Sequence, residues 1–94
     1  AAAYARVVAP GVSYAEPSIG RVVTRHDRRG EGLGRELMRR CIDACRTEWP
    51  DMPIRISAQC YLEQFYSDLG FVLVGEPYLE DGIPHVEMLL SALG

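Results

Sequence analysis

The chain has no lysine: every one of the ten basic residues among its 94 is arginine. That removes enzymes built on a Schiff-base lysine and nucleotide sites that need a Walker lysine. Thirteen acids leave a net charge of −3. A general nucleic-acid binder needs a strongly basic face, so nucleic acid is not an expected partner. No apolar run approaches the roughly 20 residues that span a bilayer. The opening lacks a charged region followed by an apolar stretch and a cleavage site, so no membrane contact and a cytoplasmic location are expected. Three cysteines, Cys41, Cys45 and Cys60, make an odd set, which argues for reduced thiols rather than a disulfide framework. Cys41 and Cys45 lie one helical turn apart, but no second Cys/His pair accompanies them. Core packing is the expectation there, and no metal.

What the chain has is apolar bulk, 48% of its residues, enough for one modest core and hence a single domain over 1–94. Short Gly/Pro clusters divide it into alternating strand-like and helix-like pieces. Residues 4–8 read as a strand, 9–17 as a turn-rich connection and 19–25, with Val22, Val23 and Thr24, as a second strand. Leu33, Leu37, Cys41, Ala44 and Cys45 form the apolar stripe of a helix over 32–48, which Trp49-Pro50 and Pro53 stop. Residues 54–58 alternate with period two as a third strand. Leu62, Phe65, Tyr66 and Leu69 share one face of a short helix that Gly70 caps. Strands over 71–74 and 85–90 pair across a connection containing Asp81-Gly82 and Pro84. The fold class that follows is α/β, a mixed sheet covered by two helices in the order β-β-α-β-α-β-β. The second and third strands form a right-handed parallel crossover. The chain opens without Met and already inside a strand pattern, so a fragment of a longer chain is expected.

The sharpest local feature is His26-Asp27-Arg28-Arg29-Gly30-Glu31-Gly32-Leu33-Gly34, between a β-branched strand and an amphipathic helix. Three glycines at alternate positions let the backbone come close to a ligand, while the free N–H groups of the first helical turn point outward with a favourable dipole. Such a turn is a natural pyrophosphate site, with Arg28, Arg29 and Arg35 placed to add charge-assisted bonds. The bland alternative is a solvated loop with surface arginines. A P-loop is excluded for want of lysine, and a dinucleotide fingerprint because Leu37 stands where the third glycine belongs.

What fits is R-x-x-G-x-G, spelled by Arg29, Gly32 and Gly34, and with it the chain resembles the GNAT superfamily of N-acetyltransferases. The strand Val22-Val23-Thr24 before the motif, the helix after it, the strand to Ala58, and Tyr66 followed by Leu69-Gly70-Phe71 occur in that family's order. Within it, Tyr4-Ala5-Arg6, Ile19-Gly20-Arg21-Val22-Val23, Ala58-Gln59, Phe65-Tyr66 and Asp81-Gly82-Ile83-Pro84-His85 resemble the ElaA-like group. The resemblance implies acetyl-CoA as cosubstrate, an amine acceptor of unknown identity and no metal. It implies that the backbone of Val22, Val23 and Thr24 runs beside the pantetheine arm. Arg29, Gly30, Glu31, Gly32, Leu33 and Gly34, with Arg35 completing the turn, would hold the pyrophosphate. The two parallel strands would splay apart to leave a cleft where thioester meets amine.

The implied reaction is attack of a neutral amine on the acetyl carbonyl through a tetrahedral oxyanion, with expulsion of the thiolate. The family pattern places Tyr66 as the acid that protonates the leaving sulfur. Periodicity alone offers a plainer role, since Tyr66 shares an apolar face with Leu62, Phe65 and Leu69. No base stands out: Glu16, Glu76, Glu80, Asp81 and Glu87 are scattered, His85 is as readily structural, and Gln59 is a weak candidate for orienting a water. The resemblance also implies that elements preceding this chain in a full domain, which shape the acceptor pocket, are missing. Without them, a non-catalytic coenzyme A-binding module or a homodimer formed through an exposed sheet edge is the alternative.

Overall fold

The computed structural model describes residues 3–24 and 30–92, with backbone alone at 3–4, 21–24 and 30–31. Strand β1 (Ala3–Val8) runs antiparallel to β2 (Ser18–Thr24). Helix α1 (Gly30–Glu48) leads to β3 (Ile54–Gln59), then a 3₁₀ turn at Cys60–Leu62 and helix α2 (Glu63–Asp68). Strands β4 (Val72–Glu80) and β5 (Ile83–Leu90) close the chain as a hairpin. The five strands form one mixed sheet, as the sequence pattern implied, and their order in it is β1-β2-β3-β5-β4. β2 and β3 are its parallel pair.

Helix α1 buries Gly34, Met38, Cys41, Ile42 and Cys45, positions three and four apart that make one stripe. This stripe is turned from the expected one. Ala44 is exposed and Leu33 half-buried, while Met38 and Ile42 take the inward positions. The helix also starts at Gly30, two residues before the apolar periodicity that located it. Glycines carry no periodic signal, so the first turn was invisible to that pattern. The core joins the helix stripe to Ile54, Ile56 and Ala58 of β3, Val86, Met88 and Leu90 of β5, and Ile19 and Phe71.

The hairpin is longer than its hydrophobic alternation, because a register shift between Val74 and Tyr78 breaks the period of two. Gly75, at φ 75°, lies within that irregularity, and Pro77 is tolerated because β4 is an edge strand. Asp81 and Gly82 both have positive φ, 53° and 76°, as a two-residue turn matching the twist of the strands requires. The turn sets the register: Glu80 faces Ile83, Leu79 faces Pro84, and Tyr78 faces His85.

One polar assembly ties the sheet together. The Arg55 N–H donates to the Pro17 carbonyl at 3.0 Å. Its guanidinium grips both carboxylate oxygens of Glu16, at 3.1 and 3.2 Å, and reaches Glu87 at 2.9 Å. It also lies over the Tyr14 ring, 6.0 Å from the centroid. The hydrogen bond from Arg55 holds the Glu16 carboxyl below its ordinary value.

Two outcomes follow for stability. Met88 is fully buried opposite Ile56, so Met88→Ala should lower the unfolding free energy by about 2–5 kcal/mol in urea titration. A carboxyl whose folded value is depressed stabilises the fold above its unfolded value. The Glu16 contribution should therefore be complete above the ordinary value of 4.5 and decline as pH falls from there. Urea midpoints measured from pH 6 down to 3 should fall less steeply in Glu16→Gln than in the unaltered chain.

Candidate active site

β2 and β3 are joined at one end only. Their register contains a single pair, Ser18 with Arg55, beside the Arg55 to Pro17 hydrogen bond. Beyond that point the described residues of β2 pair with β1 alone, Tyr4 with Val23 and Ala3 with Thr24. Among the described residues, the side of β2 that faces β3 at Val22, Val23 and Thr24 is thus an unpaired strand edge inside a sheet. A backbone in that state still has donors and acceptors to satisfy.

A cavity of about 210 Å³ fills the parting. Ile19 and Gly20 of β2 line one wall, Ile56, Ser57, Ala58 and Gln59 of β3 the other. Leu62 and Tyr66 approach from the α2 side, and Glu80 and His85 from the hairpin. Sites that enclose a whole small ligand run from about 300 Å³ upward, so this space is smaller than one of those.

Tyr66 is held there by its backbone. The Phe71 N–H donates to the Tyr66 carbonyl at 3.1 Å and the Gly70 N–H to the Ser67 carbonyl at 3.0 Å. Together they form a Schellman closure of α2. Gly70 takes φ 104°, and a Cβ there would meet Leu90 at 3.1 Å. The Tyr66 ring makes edge contacts with Phe65 and Phe71, at centroid distances of 5.0 and 6.0 Å. The residue is only 6% exposed, yet its hydroxyl has no hydrogen-bond partner among the described residues. Arg46 Nε is the sole fully buried side-chain atom without a partner among those residues, so the Tyr66 hydroxyl keeps access to open space. Burial, with a smaller contribution from Tyr61, pushes its phenol above the ordinary value of 10.

The hairpin brings together two groups that looked unrelated in sequence. His85 Nε2 lies 3.5 Å from Glu80 Oε2, and His85 Nδ1 is 2.7 Å from the Ile83 carbonyl. The ring stacks on Tyr78 at 6.0 Å and 30°, and Tyr78 is hydrogen-bonded to Ser57. The other acids disperse: Glu16 and Glu87 are taken by Arg55, while Glu76 and Asp81 are exposed. Gln59 sits in the cavity wall, opposite His85 in the β3–β5 register. Ile19, Gly20, Ser57 and Glu80 were not singled out as a group by sequence. The Asp81-Gly82 pair was the available signal, since a two-residue turn there dictates that Tyr78 faces His85.

Of the phosphate motif, Arg28 and Arg29 lie outside the described residues. Gly30 to Arg35 form the first turn and a half of α1 rather than a loop before it. By helix geometry the N–H groups of Gly30, Glu31, Gly32 and Leu33 lack intrahelical acceptors. Among the described residues nothing lies within 4 Å of where a Gly32 Cβ would stand. Cys41 and Cys45 are buried, and burial raises the Cys45 thiol to about 11. They behave as core, not as thiolate ligands. Among the described residues no helix is long and apolar enough to cross a membrane.

Residues 4–92 match the model of the acetyltransferase (GNAT) domain. The chain belongs to the GNAT acetyltransferase family. It is 45% identical over 87 residues to a UPF0039 protein of Synechocystis, covering 93% of this chain and 56% of that protein. It is 42% identical over 86 residues to ElaA of Escherichia coli, covering 92% and 56%. The crystal structure of that ElaA superposes with a TM-score of 0.84 at 39% identity, over 96% of this chain and 60% of the other. An acyl-CoA N-acyltransferase from Pseudomonas aeruginosa also gives 0.84, at 44% identity and with 95% and 60% covered. The chain therefore spans somewhat more than half the length of these relatives. A GNAT sheet of five strands with two helices accounts for the whole described architecture.

The environment of Tyr66 yields its own measurement. Difference absorbance between the unaltered chain and Tyr66→Phe should show one tyrosinate forming above pH 10. A group whose folded value is raised stabilises the fold below its unfolded value and loses that contribution as pH climbs. Thermal midpoints should accordingly drop more steeply above pH 10 in the unaltered chain than in Tyr66→Phe.

Proposed function

We propose that the protein transfers an acetyl group from acetyl-CoA to a primary amine in the cavity between β2 and β3, with Tyr66 as the acid. The observation that carries this reading is the parting of the parallel strands after one residue pair, with an unpartnered, buried phenol lining the gap.

The chain's residues fit the cosubstrate. The unpaired edge at Val22, Val23 and Thr24 offers backbone groups to the amides of a pantetheine arm, as a strand would offer them to a neighbour. The amino end of α1, over Gly30, Glu31, Gly32, Leu33, Gly34 and Arg35, offers N–H groups and a positive dipole to the pyrophosphate. Arg29 would add charge to the same group. Acetyl-CoA supplies the activated acyl carbon. The amine nitrogen attacks it, the C–N bond forms, and the C–S bond breaks as the tetrahedral oxyanion collapses. Tyr66 then protonates the leaving sulfur. A phenol held above its ordinary value is fully protonated at neutral pH, as a proton donor must be. The nitrogen's surplus proton, released to solvent, restores the phenol.

Two substitutions test this in the natural full-length protein. Tyr66→Phe keeps the ring and its packing, so acetyl-CoA should bind with unchanged affinity by calorimetry. Its kcat across a panel of amines should fall about 10²-fold or more. Arg29→Glu should weaken acetyl-CoA binding at least tenfold. Binding of acetyl-CoA without thiol release from any amine would favour a non-catalytic coenzyme A module. Absence of binding at millimolar ligand would overturn the reading.

A further inference from the structure

Acyl transfer to an amine needs a proton acceptor as well as a donor, because an alkyl amine is mostly an ammonium at neutral pH and cannot attack until it loses a proton. Tyr66 cannot serve that need while acting as the acid. We propose that His85, backed by the Glu80 carboxylate, takes the proton from the acceptor's ammonium in this cavity. The assignment rests on the acetyltransferase reading above and names the class of acceptor it takes: a basic primary amine that arrives charged.

Three observations carry it. Both residues line the same cavity as Tyr66, so acceptor and donor border one reaction space. The ring is held in one orientation: Nδ1 lies 2.7 Å from the Ile83 carbonyl, and Tyr78, itself bonded to Ser57, stacks on its face. A carbonyl can only accept, so Nδ1 carries the hydrogen and the lone pair of the neutral ring falls on Nε2. That lone pair sits 3.5 Å from Glu80 Oε2. In the neutral state two electron-rich atoms face each other. A proton on Nε2 turns the same contact into a charge-assisted pair with no movement of either residue.

The surrounding charges favour a cationic guest. Glu87 lies two residues from His85 on the same side of β5, but Arg55 of β3 engages it together with Glu16. Glu80 has no arginine partner among the described residues, so the negative charge it contributes is left for the guest. The remaining titratable groups near the ring are phenols: Tyr78 on β4, Tyr66 on α2, and Tyr14 from the connection after β1. Burial pushes Tyr14 up, with Tyr78, Glu87 and Glu80 adding to the shift.

The proton balance closes. The ammonium gives one proton to His85 Nε2, the neutral amine forms the C–N bond, and the C–S bond breaks. Tyr66 protonates the sulfur, and the second nitrogen proton restores Tyr66. His85 returns its proton to solvent through the cavity mouth, so one proton is released per acetyl group transferred.

The test uses the natural full-length protein, acetyl-CoA and two kinds of amine: spermidine and benzylamine, charged at pH 7, and aniline, already neutral there. In His85→Gln, kcat with the charged amines should fall about 10²-fold at pH 7, with the KM for acetyl-CoA within about twofold. Its kcat/KM with charged amines should climb about tenfold per pH unit between 7 and 9, as solution supplies the neutral amine. Aniline should be acetylated equally by both proteins. Glu80→Gln, on an exposed carboxylate, should keep the fold and lose roughly tenfold with charged amines only, a safeguard should His85→Gln misfold. Equal loss with aniline and charged amines in both variants would assign His85 and Glu80 a structural role and overturn the proposal. Unchanged rates in Glu80→Gln together with an unchanged pH slope in His85→Gln would do the same. An unaltered protein that acetylates none of these amines would instead overturn the acetyltransferase reading on which this rests.

Discussion

Arg55 decides where this sheet is closed and where it is open. Its backbone fastens the start of β3 to the residue before β2, and its guanidinium bridges Glu16, just ahead of β2, and Glu87 on β5. The planar fork meets Glu16 through two nearly parallel bonds, a geometry lysine could not supply. These side chains are partly exposed, between 22% and 34%, so the pairs add little to global stability. Their effect is positional. Three strands are tied together at one end, and the twist of the sheet is free to separate β2 from β3 at the other. A ladder that continued past Ser18 would seal the cavity and satisfy the edge of β2 that the substrate is proposed to use.

The second fixed point is Tyr66, where packing and chemistry meet. In the sequence these read as competing roles, because an apolar stripe is ordinarily a core stripe. Under the proposed reading they are divided within one side chain. The ring is gripped by Phe65 and Phe71, and the carbonyl by the Schellman closure at Gly70, while the residue lines the cavity and its hydroxyl has no hydrogen-bond partner among the described residues. Rigid packing of the ring leaves the oxygen little freedom, which is what a proton donor of fixed direction requires.

The architecture was legible because each element announces itself through periodicity: the stripe of α1, the alternation of β3, and the short face of α2. The failures fall where periodicity is silent. The first turn of α1 is glycine-rich, so the helix extends two residues earlier than its apolar stripe. β4 runs through a bulge at Gly75 and Pro77, so its second half reads as a loop. The stripe of α1 is rotated because methionine and isoleucine at 38 and 42 outcompete alanine at 44 for burial. Of the site, Tyr66 could be singled out only through the family's motif order. The pairing of Glu80 with His85 depends on a hairpin register that hydrophobicity does not encode. Arg55 gave no sign at all, since its partners come from two segments far from it in the chain, Tyr14 and Glu16 on one side and Glu87 on the other.

The same alternation that builds the core also fixes which polar groups share the other side of the sheet. In β3, Ile54, Ile56 and Ala58 point to the helices; in β5, their partners Leu90, Met88 and Val86 do so. The intervening residues, Arg55, Ser57 and Gln59 with Leu89, Glu87 and His85, must then share the opposite side. A slip of β3 by one residue would turn Arg55 toward the apolar side, and a slip of β5 would turn Glu87 there, at a cost of several kcal/mol for an unpaired buried charge. The register therefore cannot drift without unfolding the domain. Polar groups that cover one another only weakly are held in exact apposition by apolar residues that never touch them, and the precision of the site is drawn from the core on the far side of the sheet.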